Sequence, residues 1–380
     1  MALIDFAAFA YYPALQSSEG EYMGYRNLSE DDKSAILPIF EIGQRKNEPN
    51  LTGTIEQLKG TISERPFILD LSKDPAPPAF VPKDDPNPEK TAALQKSQHS
   101  YNAQLVALLD QTDGFANWRG LVSQFPNCVP MLQFTDADNQ AINILRQGAQ
   151  MAFSGFESLA IRISPDSAQT IYPVLAQLMA ILPSPDRLLV VVDCGQGRIQ
   201  RPEKAEFAKK VITELLAVVD VAQQAEIRAV CLTNSFPNAS HDNLKEFQSF
   251  DWDLWEEASS IFPFQFGDYA SINRRRKSTT YVPGDWRATV AYPLDRGWLI
   301  YRHPDASDPK GWIDGAKAVI AHPSYQPGLE TWGGELLVKA AAGSIDDVAS
   351  ARFWHAAKVN MHIHRQVRYA GTVVWGEGTD

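Results

Sequence analysis

Between residues 11 and 272 the chain repeats one phrase eight times: a short apolar run, a polar or charged residue at its end, then a stretch of helical character. The runs are Tyr11–Leu15, Ile36–Ile42, Phe67–Leu71, Val129–Phe134, Leu159–Ile163, Leu188–Val192, Ile227–Leu232 and Phe264–Ala270. Strands that alternate with helices pair in parallel, because each crossover needs a helix-length connection. Eight such units are what a closed (β/α)8 barrel requires, and such a barrel takes up roughly 250 residues as one domain. The expected fold is therefore α/β, a TIM-type barrel over residues 1–272. Residues 273–380 are expected to form a C-terminal β-hairpin and helical elaboration packed against it.

The connections carry their own signals. Ser29 followed by Glu30, Asp31 and Asp32 reads as a capped helix start. Six prolines between Lys73 and Lys90 forbid helix and central strand, so 73–90 is predicted to be a long loop on the carboxyl side of the third strand, poorly ordered or acting as a lid. Asn102 to Phe125 reads as helix broken near Gly114, and Asn243–Ser259 as helix. After Asn273 the pattern changes to two antiparallel strands around Asp295-Arg296-Gly297, then helices at Gly311–His322 and Val348–Tyr369.

Strand ends are where barrel chemistry is found. Here they are Gln16, Glu41, Asp70, Gln133, Arg162, Asp193, Asn234 and Asp268. Glu41, Asp70, Asp193 and Asp268 are the candidate catalytic residues, because carboxylates gathered in a barrel mouth can do acid–base work or bind a cation. Arg162 and Asn234 are candidates to bind a substrate or partner. Zinc is not expected: none of the seven histidines falls in a barrel strand, and no metal ligands are assigned. The sequence assigns no cofactor. His355 and His362 lie seven apart and share a helix face.

The net charge of −11 argues against broad nucleic-acid binding, which needs basic residues to neutralise phosphates. One basic run, Arg274–Lys277, stands among aromatics that include Tyr281, Trp286, Tyr292, Trp298, Tyr301, Trp312 and Trp332. Arg275 is the partner-binding candidate within it. This set reads either as a surface for single-stranded nucleic acid or, more simply, as packing between hairpin and barrel. The cysteines Cys128, Cys194 and Cys231 are expected to be buried free thiols in a reducing compartment. With no basic n-region at Met1 and no apolar run of about 20 residues, the protein is expected to be cytoplasmic and not membrane-bound.

The opening of the chain also carries a resemblance. Tyr12-Pro13-Ala14-Leu15, then Gly20-Glu21, then Ile36-Leu-Pro-Ile-Phe-Glu-Ile42 resembles the start of the beta protein family of phages and prophages. The segment from Trp354-His355 to His362-Ile-His364-Arg365 is similar to that family's C-terminal end. The resemblance implies a barrel-type fold. It also implies a component of a phage- or prophage-borne defence or toxin–antidote module, acting through a mouth site or a protein partner. It carries over no catalytic residues; the positions that match its motif are Tyr12, Glu21 and Glu41. The alternative from the residues alone is a hydrolase or nucleotide-processing enzyme that uses the carboxylate cluster.

Overall fold

The computed structural model describes residues 4–45, 48–76, 87–167, 169–196, 201–237, 242–270, 287–305, 308, 310–344 and 350–374. The strands are β1 (Tyr12–Gln16), β2 (Ile39–Ile42), β3 (Phe67–Leu71), β4 (Cys128–Leu132), β5 (Leu159–Ile163), β6 (Leu188–Gln196), β7 (Arg228–Asn234), β8 (Asn243–Gln248), β9 (Gln265–Asp268), β10 (Thr289–Leu294) and β11 (Gly297–Arg302). Strands β1 to β7 and β9 close a barrel in that order. Each neighbouring pair is parallel, including β1 with β9, which seals the ring. The TIM-type barrel expected from the eight apolar runs is the fold observed.

Closure sets tight limits at the β1–β9 seam. Tyr12 sits opposite Gly267, and a Cβ on Gly267 would lie 2.8 Å from the Tyr12 carbonyl oxygen and 2.9 Å from a Val230 methyl. Only glycine lets the two backbones approach this closely. The strands are almost wholly buried, and one apolar core runs through the barrel and the helices around it. Val359, Ile363 and Ala370 of the last helix, Ala351–Val374, belong to that same core.

The remaining strands form a three-stranded antiparallel sheet in the order β10-β11-β8. The β10–β11 hairpin turns at Asp295-Arg296, as the sequence predicts. Strand β8 is a correction, since residues 243–248 had read as the start of a helix. Leu244 and Phe247 are spaced like one helical face, but here they lie on opposite sides of an edge strand and pack into two different small cores. The helix begins only at Asp251 and runs Asp251–Ser259. The sheet thus takes one strand from the barrel's stretch of chain and two from the C-terminal stretch. The boundary expected at 272 falls outside the described residues.

The helix Pro88–Leu108 also starts earlier than expected. Asn87 caps it by accepting the Lys90 amide at 3.0 Å, and Pro88 occupies the first turn, where a missing N–H costs nothing. The heart of the expected proline-rich loop, 77–86, lies outside the described residues. The predicted break near Gly114 is present: Asp113, Gly114 and Phe115 all have positive φ, between 50° and 64°. A further helix, Trp332–Ala341, had no clear sequence signal. All three cysteines are buried and free. Among the described residues no helix is long and apolar enough to cross a membrane.

Candidate functional site

Arg162 stands at the centre of the barrel mouth. It lies near the carboxyl end of β5, and its side chain is 10% exposed. One terminal nitrogen, Nη1, is 3.0 Å from Glu41 Oε2 on β2 and 3.4 Å from Asp193 Oδ2 on β6. The other, Nη2, is 2.7 Å from Asp70 Oδ2 on β3. Three strands therefore deliver carboxylates to one guanidinium. Burial opposes its charge, but Asp70, and then Tyr269, Glu41 and Asp193, outweigh that and push its pKa up.

Each carboxylate is fixed by further partners. Asp70 Oδ1 accepts the Leu71 amide at 2.8 Å and the Gln133 side-chain amide at 3.0 Å. Asp193 Oδ1 accepts the Gly195 amide at 2.9 Å. Gly195, with φ +66, lies at the register shift between Asp193 and Gln196 in β6, and the Lys204 amine donates to its carbonyl at 2.8 Å. Burial lowers the pKa of that amine. Tyr269 donates its hydroxyl to Asp193 Oδ2 at 2.6 Å and faces Arg162 Nη1 at 3.2 Å.

Above this cluster opens a cavity of about 1100 Å³. Among the described residues its walls carry eight carboxylates, Glu41, Asp70, Asp74, Asp136, Asp138, Asp166, Asp193 and Glu203, against three cationic side chains, Lys73, Arg162 and Lys204. Apolar lining comes from Leu71, Met131, Leu132, Phe134 and Phe207. The imbalance makes the mouth a region of negative potential, and low-dielectric walls concentrate such a field.

The structure thus gathers Glu41, Asp70, Asp193 and Arg162, but not the other residues singled out in the sequence. Asp268 points the opposite way. Side chains alternate along extended chain, so Gly267 in β9 and Tyr269 just after it face the barrel interior while Asp268 faces outward. There it accepts the Tyr11 hydroxyl and the Ala270 amide, the latter at 2.7 Å, and contacts His362 Nε2 at 2.7 Å. His362 in turn stacks on Trp298, ring centres 4.8 Å apart. Asp268 therefore joins the barrel to the C-terminal helix and hairpin, and Tyr269 takes the place in the mouth expected for it. That substitution was readable from the alternation Gly267, Asp268, Tyr269.

Tyr12 is also displaced. It is the first residue of β1, at the barrel floor, and its hydroxyl donates to the Phe6 carbonyl. Glu21 is a capping residue: its carboxylate accepts the Gln16 amide and the Ser18 hydroxyl, while Ser18 accepts the Glu21 amide at 3.2 Å. Asn234 ends β7, where its side-chain oxygen accepts the Phe236 amide at 3.3 Å, and it does not line the cavity. Arg275 and the run 274–277, with Tyr281 and Trp286, lie outside the described residues. Of the other aromatics in that set, Tyr292 and Trp298 are buried, and Trp312 stacks on Trp354. For these the packing explanation holds. His355 and His362 share a helix but serve different partners, Glu21 at 3.7 Å and Asp268.

Comparison with known proteins matches this chain over nearly its whole length. The family described as Beta protein matches residues 11–368. The chain belongs to the Beta protein family. A relative named Protein beta, from Enterobacteria phage P4, is 24% identical over 379 residues, covering 98% of this chain and 97% of its own. The family therefore includes a phage-encoded protein of the same extent. The matched span contains every strand of the barrel and of the antiparallel sheet, so the mouth and the Asp268–His362 junction both lie within the family's common region.

Proposed function

We propose that this Beta protein family member works through its barrel mouth, as a receptor for a cationic group, within a phage- or prophage-borne defence or toxin–antidote module. The observation that carries the reading is the charge balance of the mouth: among the described residues, eight carboxylates against three cationic side chains around one cavity. At its base three buried carboxylates share a single guanidinium. Holding like charges together costs stability, which a site that must bind positive charge would justify. A partner protein satisfies this chemistry by inserting a lysine or arginine, and a small ligand does so with an amine or guanidine. The module role is supported by membership of a family with a phage-encoded relative.

The hydrolase or nucleotide-processing alternative draws on the same carboxylates. It is less well supported, because the Arg162 guanidinium fills the space between Glu41, Asp70 and Asp193 where a catalytic cation would bridge them. The cation-receptor reading is tested by calorimetric titration of the full chain and of Asp193→Asn with agmatine and with spermidine. Saturable binding of either probe that weakens at least tenfold in the variant supports it. Binding of neither probe, or equal binding by both proteins, overturns it.

A further inference from the structure

A second cluster of ligating side chains lies outside the barrel, where β11 meets the helix Gly311–Ile320. His303 follows β11, and Asp314 lies in the first turn of that helix. His303 Nε2 is 3.8 Å from Asp308 Oδ2 and 3.9 Å from Asp314 Oδ2. The three ligand atoms all lie within 4.8 Å of one another, and among the described residues no other group of three His, Cys, Asp or Glu side chains does so.

Four details distinguish this from an ordinary surface ion pair. The separations exceed hydrogen-bond reach, so Nε2 donates to neither carboxylate, yet His303 is only 7% exposed. The other ring nitrogen is already engaged: Nδ1 lies 2.7 Å from the Asp305 carbonyl oxygen and 3.1 Å from the Asp305 amide. With the proton on Nδ1 the shorter contact is a donation to the Asp305 carbonyl, and the Nε2 lone pair then faces the two acids. Imidazole ligands of metals are commonly oriented by such a donation to a backbone carbonyl. Asp308 is oriented too, since its Oδ1 accepts the Lys310 amide at 2.8 Å and its Oδ2 is the atom turned toward His303. Gly311 makes room for the ring, because a Cβ there would lie 2.9 Å from His303 Cγ.

A transition-metal ion held about 2.1 Å from each ligand atom sets those atoms roughly 3 to 4 Å apart, a range that already contains the two His303–carboxylate separations of 3.8 and 3.9 Å. We propose that His303, Asp308 and Asp314 form a binding site for a first-row divalent cation, with Zn²⁺ and Mn²⁺ the fitting ions for one imidazole and two carboxylates. Asp308 and Asp314 are 34% and 49% exposed, which leaves the ion's remaining positions open to water. The ion would pin the end of β11 to the helix Gly311–Ile320. This site is independent of the barrel mouth.

The test is calorimetric titration of the untagged full chain with ZnCl₂ and with MnCl₂ in chelator-stripped buffer. One ion per chain is expected for at least one metal, with a rise in melting temperature. Asp314→Asn, at a half-exposed position that should not disturb folding, is expected to weaken binding at least tenfold. His303→Gln should abolish it, and Asp193→Asn in the mouth should bind as wild type does. Absence of saturable binding by both metals overturns the proposal, and so does unchanged affinity in Asp314→Asn.

Discussion

Replacing Arg162 with alanine removes the one guanidinium shared by Glu41, Asp70 and Asp193, whose side chains are 6%, 5% and 0% exposed. Breaking a buried ion pair by deleting one partner costs about 3–5 kcal/mol, because the remaining charge stays desolvated and uncompensated. Here three charges lose their partner at once, so the upper half of that range applies. A loss of about 4 kcal/mol corresponds to a fall in melting temperature on the order of 8 °C in a large domain. The double variant Arg162→Ala/Asp193→Asn should recover on the order of 1 kcal/mol of this loss, since it removes one of the repelling carboxylates and neighbouring sites couple. Urea unfolding followed by circular dichroism at neutral pH measures both. A loss below about 1 kcal/mol in the single variant, or no recovery in the double variant, would refute the view that Arg162 holds the carboxylates together.

Burial pushes the Lys358 amine down to about 8, with Glu21 opposing. A lysine whose pKa is lower in the folded than in the unfolded state penalises folding below the folded value, and the penalty fades as pH rises toward 10.4. Stability should therefore increase between pH 8 and 10, and thermal melts of Lys358→Met should lack that increase. Gly267→Ala should lose about 1–3 kcal/mol through overpacking against Tyr12 and Val230, read by chemical denaturation. His362→Ala should cost about 2–4 kcal/mol by leaving the outward-facing Asp268 without its imidazole and Trp298 without its stacking partner, again by denaturation.

The barrel was legible because each strand is an apolar run bounded by polar residues and separated from the next by a helix-length stretch. Glu41, Asp70, Arg162 and Asp193 were legible because they end such runs, and in each the direction of the side chain also happened to be inward. Asp268 shows why that rule fails: one step along a strand reverses the face, and run length alone does not fix which residue looks into the mouth. Tyr12 failed for a related reason, since it matched a sequence pattern at the start of a strand and therefore at the floor. Strand β8 was hidden because an edge strand with only two apolar residues spaced three apart imitates a helical face. The helix Trp332–Ala341 was hidden by Gly333 and Gly334, which pack against Ala357 and Leu329 instead of breaking the chain.

The most direct test of the central claim, that the mouth is the working centre, is a protection assay in cells exposed to phage or to the product of a neighbouring toxin-like gene. Wild type is compared with Asp70→Asn and Asp193→Asn, and with a variant in which Arg274–Lys277 are all alanine, each checked for folding by circular dichroism. The account predicts that the two mouth variants lose protection by at least tenfold while the basic-run variant retains it. Full protection by both mouth variants, with loss in the basic-run variant, would contradict it and move the function to the run Arg274–Lys277.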